Sequence, residues 1–179
     1  QENRTNSSYN DLSIWLIKAL VSTEDERYYE HSGIDVKALG RVVKGVITGN
    51  SKGGGSTISQ QLAKLLFPRK RLSKKELIVR KFKEWIISSR LELNYTKQEI
   101  IAMYLNKFDF LNNAVGINSA AKVYFNKKPI ELNLEESAML IGMAKNPSLF
   151  NPLRKPDTVF KRRAVVLKQM LKNQFITSN

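Results

Sequence analysis

Glu24 is the best candidate for a general base in this sequence. It follows Leu20 by four residues and Val21 by three, so on a helix it continues an apolar face. A partly buried carboxylate can accept a proton near neutral pH, as general base catalysis requires. The spacing leaves a second interpretation open, in which Glu24 and Asp25 cap the next element or pair with Arg27.

A glycine-rich segment at residues 53–61 leads into a helix that carries Lys64 and is a candidate anion site. Small residues let a ligand approach the backbone, and the hydroxyls of Ser56 and Thr57 and the free N–H groups of a helix start suit an anion. The segment does not match a P-loop, because Gly55 stands where that motif has lysine and no strand precedes it. The alternative is a flexible turn followed by an ordinary helix cap.

Glu84 follows Arg80 by four residues and Lys81 by three, so the three side chains share one face of a predicted helix. They form either a surface ion-pair trio, which adds about 0.3–0.5 kcal/mol per pair, or a cationic shelf that holds a phosphate. In the second case the carboxylate orients a cation or a substrate hydroxyl. His31 is the only histidine, so we expect it to hydrogen-bond locally and to orient the loop at 24–35.

The composition limits the classes of partner without choosing among them. The 179 residues include 30 Lys and Arg against 16 Asp and Glu, which gives a net charge of +14. This excess indicates nucleic acid, anionic lipid or a phosphorylated substrate. A hydrophobic content of 42% predicts a real core, and the absence of cysteine excludes disulfides and thiolate chemistry. Because the chain begins at Gln1 without a signal peptide, we expect a fragment or a processed form.

Helical periodicity with capping signals runs through most of the chain, which predicts an all-α fold and a single domain over residues 1–179. Residues 107–118 form the least regular connection. The predicted helices cover about 11–24, 36–48, 58–67, 74–94, 97–105, 134–146 and 157–175. Their expected N-caps include Asp35, Thr57, Ser73, Thr96 and Asn133, and the expected stops include Asn50 and Pro68.

Five segments in a fixed order match the motifs of a known family. They are 24–35 with Tyr28, His31 and Gly33; 54–64; 80–84; 100–106 with Gly116 and 120–125; and 136–142 with Pro147. With this set the chain resembles the peptidoglycan glycosyltransferases, glycosyltransferase family 51, over about residues 11–170. That family occurs as the N-terminal domain of class A penicillin-binding proteins and as monofunctional transglycosylases.

The resemblance implies a lysozyme-like helical domain with an active-site cleft. It implies polymerisation of lipid II, a disaccharide-peptide on undecaprenyl pyrophosphate, into β-1,4-linked glycan strands with inversion. Glu24 would deprotonate the acceptor 4-hydroxyl and Glu84 would organise the pyrophosphate side, so both are expected to be catalytic. The residues expected to bind substrate are Lys64, Arg71, Arg80 and Lys81 at the pyrophosphate, together with Asp25, His31, Ser56, Thr57, Gln60, Gln61 and Asn106.

The resemblance also implies the partners and the location of the protein. No cofactor and no metal ligand are expected to be required, with a divalent cation, Mg or Mn, as an option at the pyrophosphate. Expected partners are lipid II, the growing glycan chain, an anionic membrane surface and proteins of cell-wall synthesis, and not nucleic acid. The expected location is the outer face of the cell membrane, through an anchor outside this chain.

The chain departs from the family pattern at two places. It is a few residues longer than many relatives between Lys64 and Arg80, where Arg71 is assigned as the intervening arginine, and Leu111 stands where glycine is usual. Two other functions stay open. One is a glycan-cleaving lysozyme-like or lytic enzyme, which would need less positive charge. The other is a nucleic-acid-binding module, which the charge suggests but whose usual signatures are missing.

Overall fold

The computed structural model describes residues 6–49, 54–67 and 74–177, and in these residues the predicted all-α fold is confirmed. Asp109 and Val115 form an isolated antiparallel β-bridge. Short 3-10 turns lie at Tyr9–Asp11, Tyr28–Glu30 and Pro129–Glu131. The α-helices of the described residues are α1 (Ile14–Glu24), α2 (Val36–Ile47), α3 (Ile58–Leu66), α4 (Lys74–Asn94), α5 (Lys97–Lys107), α6 (Ile117–Phe125), α7 (Leu134–Ala144) and α8 (Pro156–Lys172).

Side-chain caps begin four of these helices where the sequence predicts them. In each, an oxygen of the cap accepts the N–H of the residue three positions later, which satisfies a donor that the helix leaves unpaired. The pairs are Asp35 with Ala38, Thr57 with Gln60, Thr96 with Glu99, and Asn133 with Glu136. The predicted cap Ser73 and the predicted stops Asn50 and Pro68 lie outside the described residues.

Among the α-helices of the described residues, α6 is the one that the sequence prediction missed. It begins directly after Gly116, which has a positive φ of 83° and no side chain to signal a cap. A Cβ at this position would lie 2.7 Å from the carbonyl oxygen of Asn106, so the close approach of the two backbones requires glycine. The irregular connection predicted over 107–118 is therefore slightly shorter than predicted. It ends at residue 116, and α6 follows it.

The described chain divides into two compact units, and the prediction of a single domain stays a prediction. The terminal unit contains residues 1–26 and 101–179, and in it α1 packs against α7 and α8. Its core is apolar and closely packed. Side chains that are less than 2% exposed there include Leu16, Leu20, Tyr104, Leu140, Ile141, Val166 and Met170.

The middle unit contains residues 27–100, and in it α3 packs against α4. A polar contact joins the start of α5 to this unit, because Lys97 Nζ lies 2.7 Å from Glu92 Oε2 and donates to the carbonyl of His31 at 2.6 Å. Gly33 packs on the backbone of α4, and a Cβ there would lie 2.8 Å from the Ser88 carbonyl. The loop that carries His31 is therefore fixed from two sides. None of the helices in the described residues is both long and apolar enough to cross a membrane.

Candidate functional site

A buried carboxylate surrounded by cations lies in the middle unit. Glu84 is 6% exposed. Its carboxylate lies 3.3 Å from Lys81 Nζ, 3.5 Å from Arg80 Nε and 4.0 Å from Lys64 Nζ. The predicted ion pairs of Glu84 with Arg80 and Lys81 are confirmed, but they are not an isolated surface trio, since Glu84 is buried and a further cation comes from another helix. Three cations face one carboxylate, so these four side chains together carry a net charge of +2.

Polar groups at the start of α3 extend this arrangement. Lys81 Nζ donates to Ser56 Oγ at 3.0 Å and to Gln60 Oε1 at 3.2 Å, and Lys64 Nζ donates to Ser56 Oγ at 3.4 Å. We call this set the cationic cluster. Its members, all predicted site residues that the structure brings together, are Ser56, Gln60, Lys64, Arg80, Lys81 and Glu84.

Thr57 and His31 are engaged in the fold of the middle unit. Thr57 is 2% exposed, and its hydroxyl donates to the Gly33 carbonyl at 2.7 Å while it caps α3. His31 Nδ1 accepts the N–H of Gly33 at 3.2 Å, which confirms the expected local hydrogen bond. Both residues shape the turn beside the cationic cluster, and their roles in binding substrate stay predictions.

Other predicted site residues are not members of the cationic cluster. Gln61 is half-buried on α3 in the middle unit. Asp25, 7% exposed in the terminal unit, ends α1 by donating its N–H to the Val21 carbonyl. The Asn106 side chain exchanges two hydrogen bonds with the backbone of Ser7, at 2.8 and 3.0 Å, a pairing that the sequence did not indicate. Arg71 lies outside the described residues.

Glu24 is the last residue of α1 and is half-buried in the terminal unit. Burial, and to a lesser extent the negative charge of Glu24, raises the pKa of Tyr104, so this phenol stays protonated. Burial lowers the pKa of Arg162, and the charge of Glu24 opposes this shift. Glu24 therefore shares its surroundings with a neutral phenol on α5 and a guanidinium on α8.

Arg162 is a residue that the sequence reasoning missed. It lies three residues after Val159 and four before Val166, both buried, so it interrupts the apolar stripe of α8. A charged residue on such a stripe requires a partner inside the fold. That interruption is the signal that could have identified it.

The described residues contain no group of three or more His, Asp or Glu side chains placed to hold a metal ion. The carboxylate within the cationic cluster is Glu84, whose oxygens already face three cations. A divalent cation there would have to approach against those charges. This donor set does not fit a protein-held metal.

Comparison with known proteins gives a consistent result. A family model described as Transglycosylase matches residues 1–171. Penicillin-binding protein 1F of Bacillus subtilis is 39% identical over 178 residues, 99% of this chain and 24% of that protein. Penicillin-binding protein 1A of Escherichia coli is 42% identical over 163 residues, 90% of this chain and 19% of that protein. The chain thus spans about a quarter or less of the length of these relatives.

Proposed function

Because the chain belongs to the transglycosylase family, we propose that it is a peptidoglycan glycosyltransferase. In this proposal it polymerises lipid II into β-1,4-linked glycan strands, with inversion at the anomeric carbon and release of undecaprenyl pyrophosphate. The structural observation that carries the proposal is the cationic cluster, in which Lys64, Arg80 and Lys81 surround the buried carboxylate of Glu84.

The cationic cluster suits a leaving group that departs as an anion. Pyrophosphate leaves a sugar carbon with the electron pair of the broken C–O bond, so it needs positive charge more than it needs a proton. Lysine and arginine donors that are already in place stabilise such developing charge without reorganising. Glu84 holds these donors in place by ion pairs, and Ser56 and Gln60 accept hydrogen bonds from Lys81.

Glu24 is the proposed base. As the 4-hydroxyl oxygen of the acceptor bonds to the anomeric carbon of the donor, Glu24 takes the hydroxyl proton and later releases it to solvent. Attack on the face opposite the leaving group inverts the configuration, as in the inverting glycosidases. The half-buried position of Glu24 at a helix end, beside Tyr104 and Arg162, supports this role.

The proposal includes no metal step, because the donor set around Glu84 does not fit a divalent cation held by protein side chains. The other residues proposed to bind substrate keep the assignments that the family resemblance implies. They are Asp25, His31, Thr57, Gln61, Arg71 and Asn106.

Exposed apolar side chains in the middle unit support a membrane surface as partner. They alternate with lysines and arginines on α2 and α4, a combination that suits anionic lipid headgroups above an acyl layer. We place the enzyme on the outer face of the cell membrane, where its lipid-linked substrate is held. The exposed apolar side chains of α2 and α4 are Val36, Ile47, Leu77, Val79, Phe82 and Ile86, each at least half exposed.

The experiment is incubation of the chain with labelled lipid II in detergent and EDTA, with products separated by size. We expect long glycan from the wild type and a loss of at least a hundredfold in Glu24→Gln, because the base is removed. Glu30→Gln, which changes an exposed carboxylate in the same loop, is the control and should polymerise normally.

A well-folded Glu24→Gln protein with near-normal turnover would exclude Glu24 as the base. The glycan-cleaving alternative is not favoured by the family match or by the cationic cluster. Shortening of added peptidoglycan without any use of lipid II would reinstate it.

A further inference from the structure

A largely buried ion pair in the middle unit has no part in the mechanism proposed above. The side chain of Glu92, near the end of α4, is 6% exposed, and its carboxylate lies 2.7 Å from Lys97 Nζ at the start of α5. Ser59 on α3 is fully buried and donates its hydroxyl to the same carboxylate. A charge pair taken out of water is costly unless further hydrogen bonds complete it. These contacts satisfy the carboxylate and hold the Lys97 ammonium group in place.

Lys97 also holds the turn that carries His31. Its ammonium group donates to the His31 carbonyl at 2.6 Å and lies 4.4 Å from the centroid of the Tyr28 ring. The Tyr28 ring meets the His31 ring edge-on, with 6.1 Å between the centroids, and its hydroxyl donates to the Lys97 carbonyl at 2.9 Å. Lys97 therefore acts on His31 in two ways, directly at the backbone and through the fully buried ring of Tyr28.

The other side of the same turn is attached to the cationic cluster. The Gly33 carbonyl accepts the Thr57 hydroxyl at 2.7 Å and the side-chain amide of Gln60 at 3.4 Å. The oxygen of that amide accepts a hydrogen bond from Lys81 at 3.2 Å. Because Lys97 holds the turn on one side and α3 holds it on the other, the position of the turn relative to the cations is fixed.

The contacts of His31 determine which of its ring nitrogens is a hydrogen-bond donor. Nδ1 accepts the N–H of Gly33 at 3.2 Å, so the proton of a neutral imidazole lies on Nε2. A donor at Nε2 suits the hydroxyl and phosphate oxygens of a lipid-linked sugar. A turn that moved or rotated would direct this donor away from such an oxygen.

We propose that Lys97, which Glu92 holds in place, is a positioning residue that fixes the His31 turn for substrate binding. This inference rests on the proposed function, in which His31 binds lipid II. Lys97 touches no reacting atom and acts through the His31 carbonyl and the Tyr28 ring. Its loss should therefore weaken substrate binding more than it slows the chemical step.

The test compares Lys97→Met with Lys127→Met. Methionine keeps an apolar stem on the Tyr28 ring but removes the charge and its three donors. Lys127 is a matched control, because it forms an ion pair of equal length, 2.7 Å, with Glu136 in the terminal unit. Lipid II polymerisation gives kcat and KM, and thermal unfolding gives the melting temperature of each variant.

A direct readout of the turn is available because His31 is the only histidine of the chain, so nitrogen-15 labelling of histidine reports on it alone. At about pH 8, where an ordinary imidazole is neutral, the wild type should give two widely separated signals, from a protonated Nε2 and an unprotonated Nδ1. In Lys97→Met the two signals should move toward each other, because a released turn populates both tautomers. A lysine that contributed only stability would lower the melting temperature and leave these signals unchanged.

For Lys97→Met we expect KM for lipid II to rise about tenfold, the effect of losing about one hydrogen bond, with kcat within about threefold. Lys127→Met should keep the KM and the histidine signals of the wild type. A folded Lys97→Met protein with a normal KM, or with unchanged histidine signals, would overturn the proposal.

Glu92→Gln keeps the inference testable if Lys97→Met does not fold. It retains an oxygen that accepts from Ser59 and Lys97 but removes the charge that holds the ammonium group. KM should rise about threefold, since a neutral acceptor binds the lysine more weakly, and an unchanged KM would count against the proposal. Absence of polymer from the wild type would refute the proposed function instead, while the histidine signals would still test the positioning of the turn. The two failures are therefore distinguishable.

Discussion

Lys81 is the side chain that connects α4 to the start of α3 in the cationic cluster. Its ammonium group contacts Ser56, Gln60 and Glu84, and so uses its three donors within one site. An anion that binds there would replace Ser56 or Gln60, the two neutral partners, and would gain a charge-assisted hydrogen bond. Lys81 should therefore contribute more to anion binding than its position on a helix surface suggests.

We predict that Lys81→Met weakens binding of an undecaprenyl pyrophosphate analogue by about 10–100-fold, since a hydrogen bond to a charged group contributes about 1.5–3 kcal/mol. Lys83→Met, two residues along the same helix and exposed, is the matched control. Affinity is measured by calorimetry in detergent. Equal affinities in the two variants would show that the cationic cluster is not the pyrophosphate site.

Asp35 is a residue whose negative charge the fold stabilises. Burial alone would raise its pKa, but hydrogen bonds from Arg27 and from the Ala38 N–H, with the charge of Arg27, hold the pKa of Asp35 below its usual value. A lowered folded pKa means that the stabilisation is complete above the unfolded pKa of about 3.9. It is lost as the pH falls from there through the folded pKa.

We expect Asp35→Asn to lower the free energy of unfolding at pH 7 by roughly 1–3 kcal/mol, because it keeps the helix cap but removes the charge pairing with Arg27. The difference from the wild type should shrink as the pH falls below about 4. Urea unfolding across pH measures this. The control is Asp157→Asn at an exposed position, and a constant difference at all pH values would contradict the charge argument.

At the scale of elements, the connection between α5 and α6 is conformationally costly. Leu111, Asn112 and Asn113 all have positive φ, of 62°, 50° and 63°. Asparagine tolerates this region, but leucine does so at a cost of about 1–2 kcal/mol. The family resemblance implies glycine at this position, where the chain has Leu111.

Leu111→Gly should be more stable than Leu111→Ala by about 1 kcal/mol, because both remove the side chain and only glycine relieves the backbone strain. The comparison of these two variants cancels the packing that leucine loses in each. Thermal or urea unfolding gives the difference. If the alanine variant were equally stable, the positive φ at this residue would carry no strain.

For the whole molecule, the proposed binding to a membrane surface depends on two features, the net charge of +14 and the exposed apolar side chains. On α4, Phe82 and Ile86 are 55% and 57% exposed and lie four residues apart, so they share one face of the helix. Lysine and arginine draw a protein to an anionic surface, and apolar side chains then bury in the interface. Charge alone would have suited nucleic acid equally well.

We predict that the double variant Phe82→Ser with Ile86→Ser binds phosphatidylglycerol vesicles at least about tenfold more weakly, since each apolar side chain contributes up to about 1.5–3 kcal/mol when fully buried. Phe160→Ser with Val165→Ser removes two exposed apolar side chains from the terminal unit and serves as the control. Vesicle sedimentation measures binding. An equal loss in both double variants would indicate non-specific attraction by charge.

The sequence by itself determined the helices that begin with side-chain caps, because a cap and an apolar stripe are local signals read within a few residues. It also determined that Arg80, Lys81 and Glu84 share a helix face, which follows from their spacing. The sequence did not predict helix α6, because the helix begins after Gly116. This residue allows a close approach of two backbones but offers no side-chain cap.

The tertiary structure alone decided which predicted site residues come together and which of them are buried. Burial of Glu84 and its contact with Lys64 require α3 to pack against α4, and the interaction of Arg162 with Glu24 requires α8 to pack near the end of α1. Local spacing specifies which residues share a face, but not which face meets another. That choice follows from burying apolar surface between elements, a property of the whole chain.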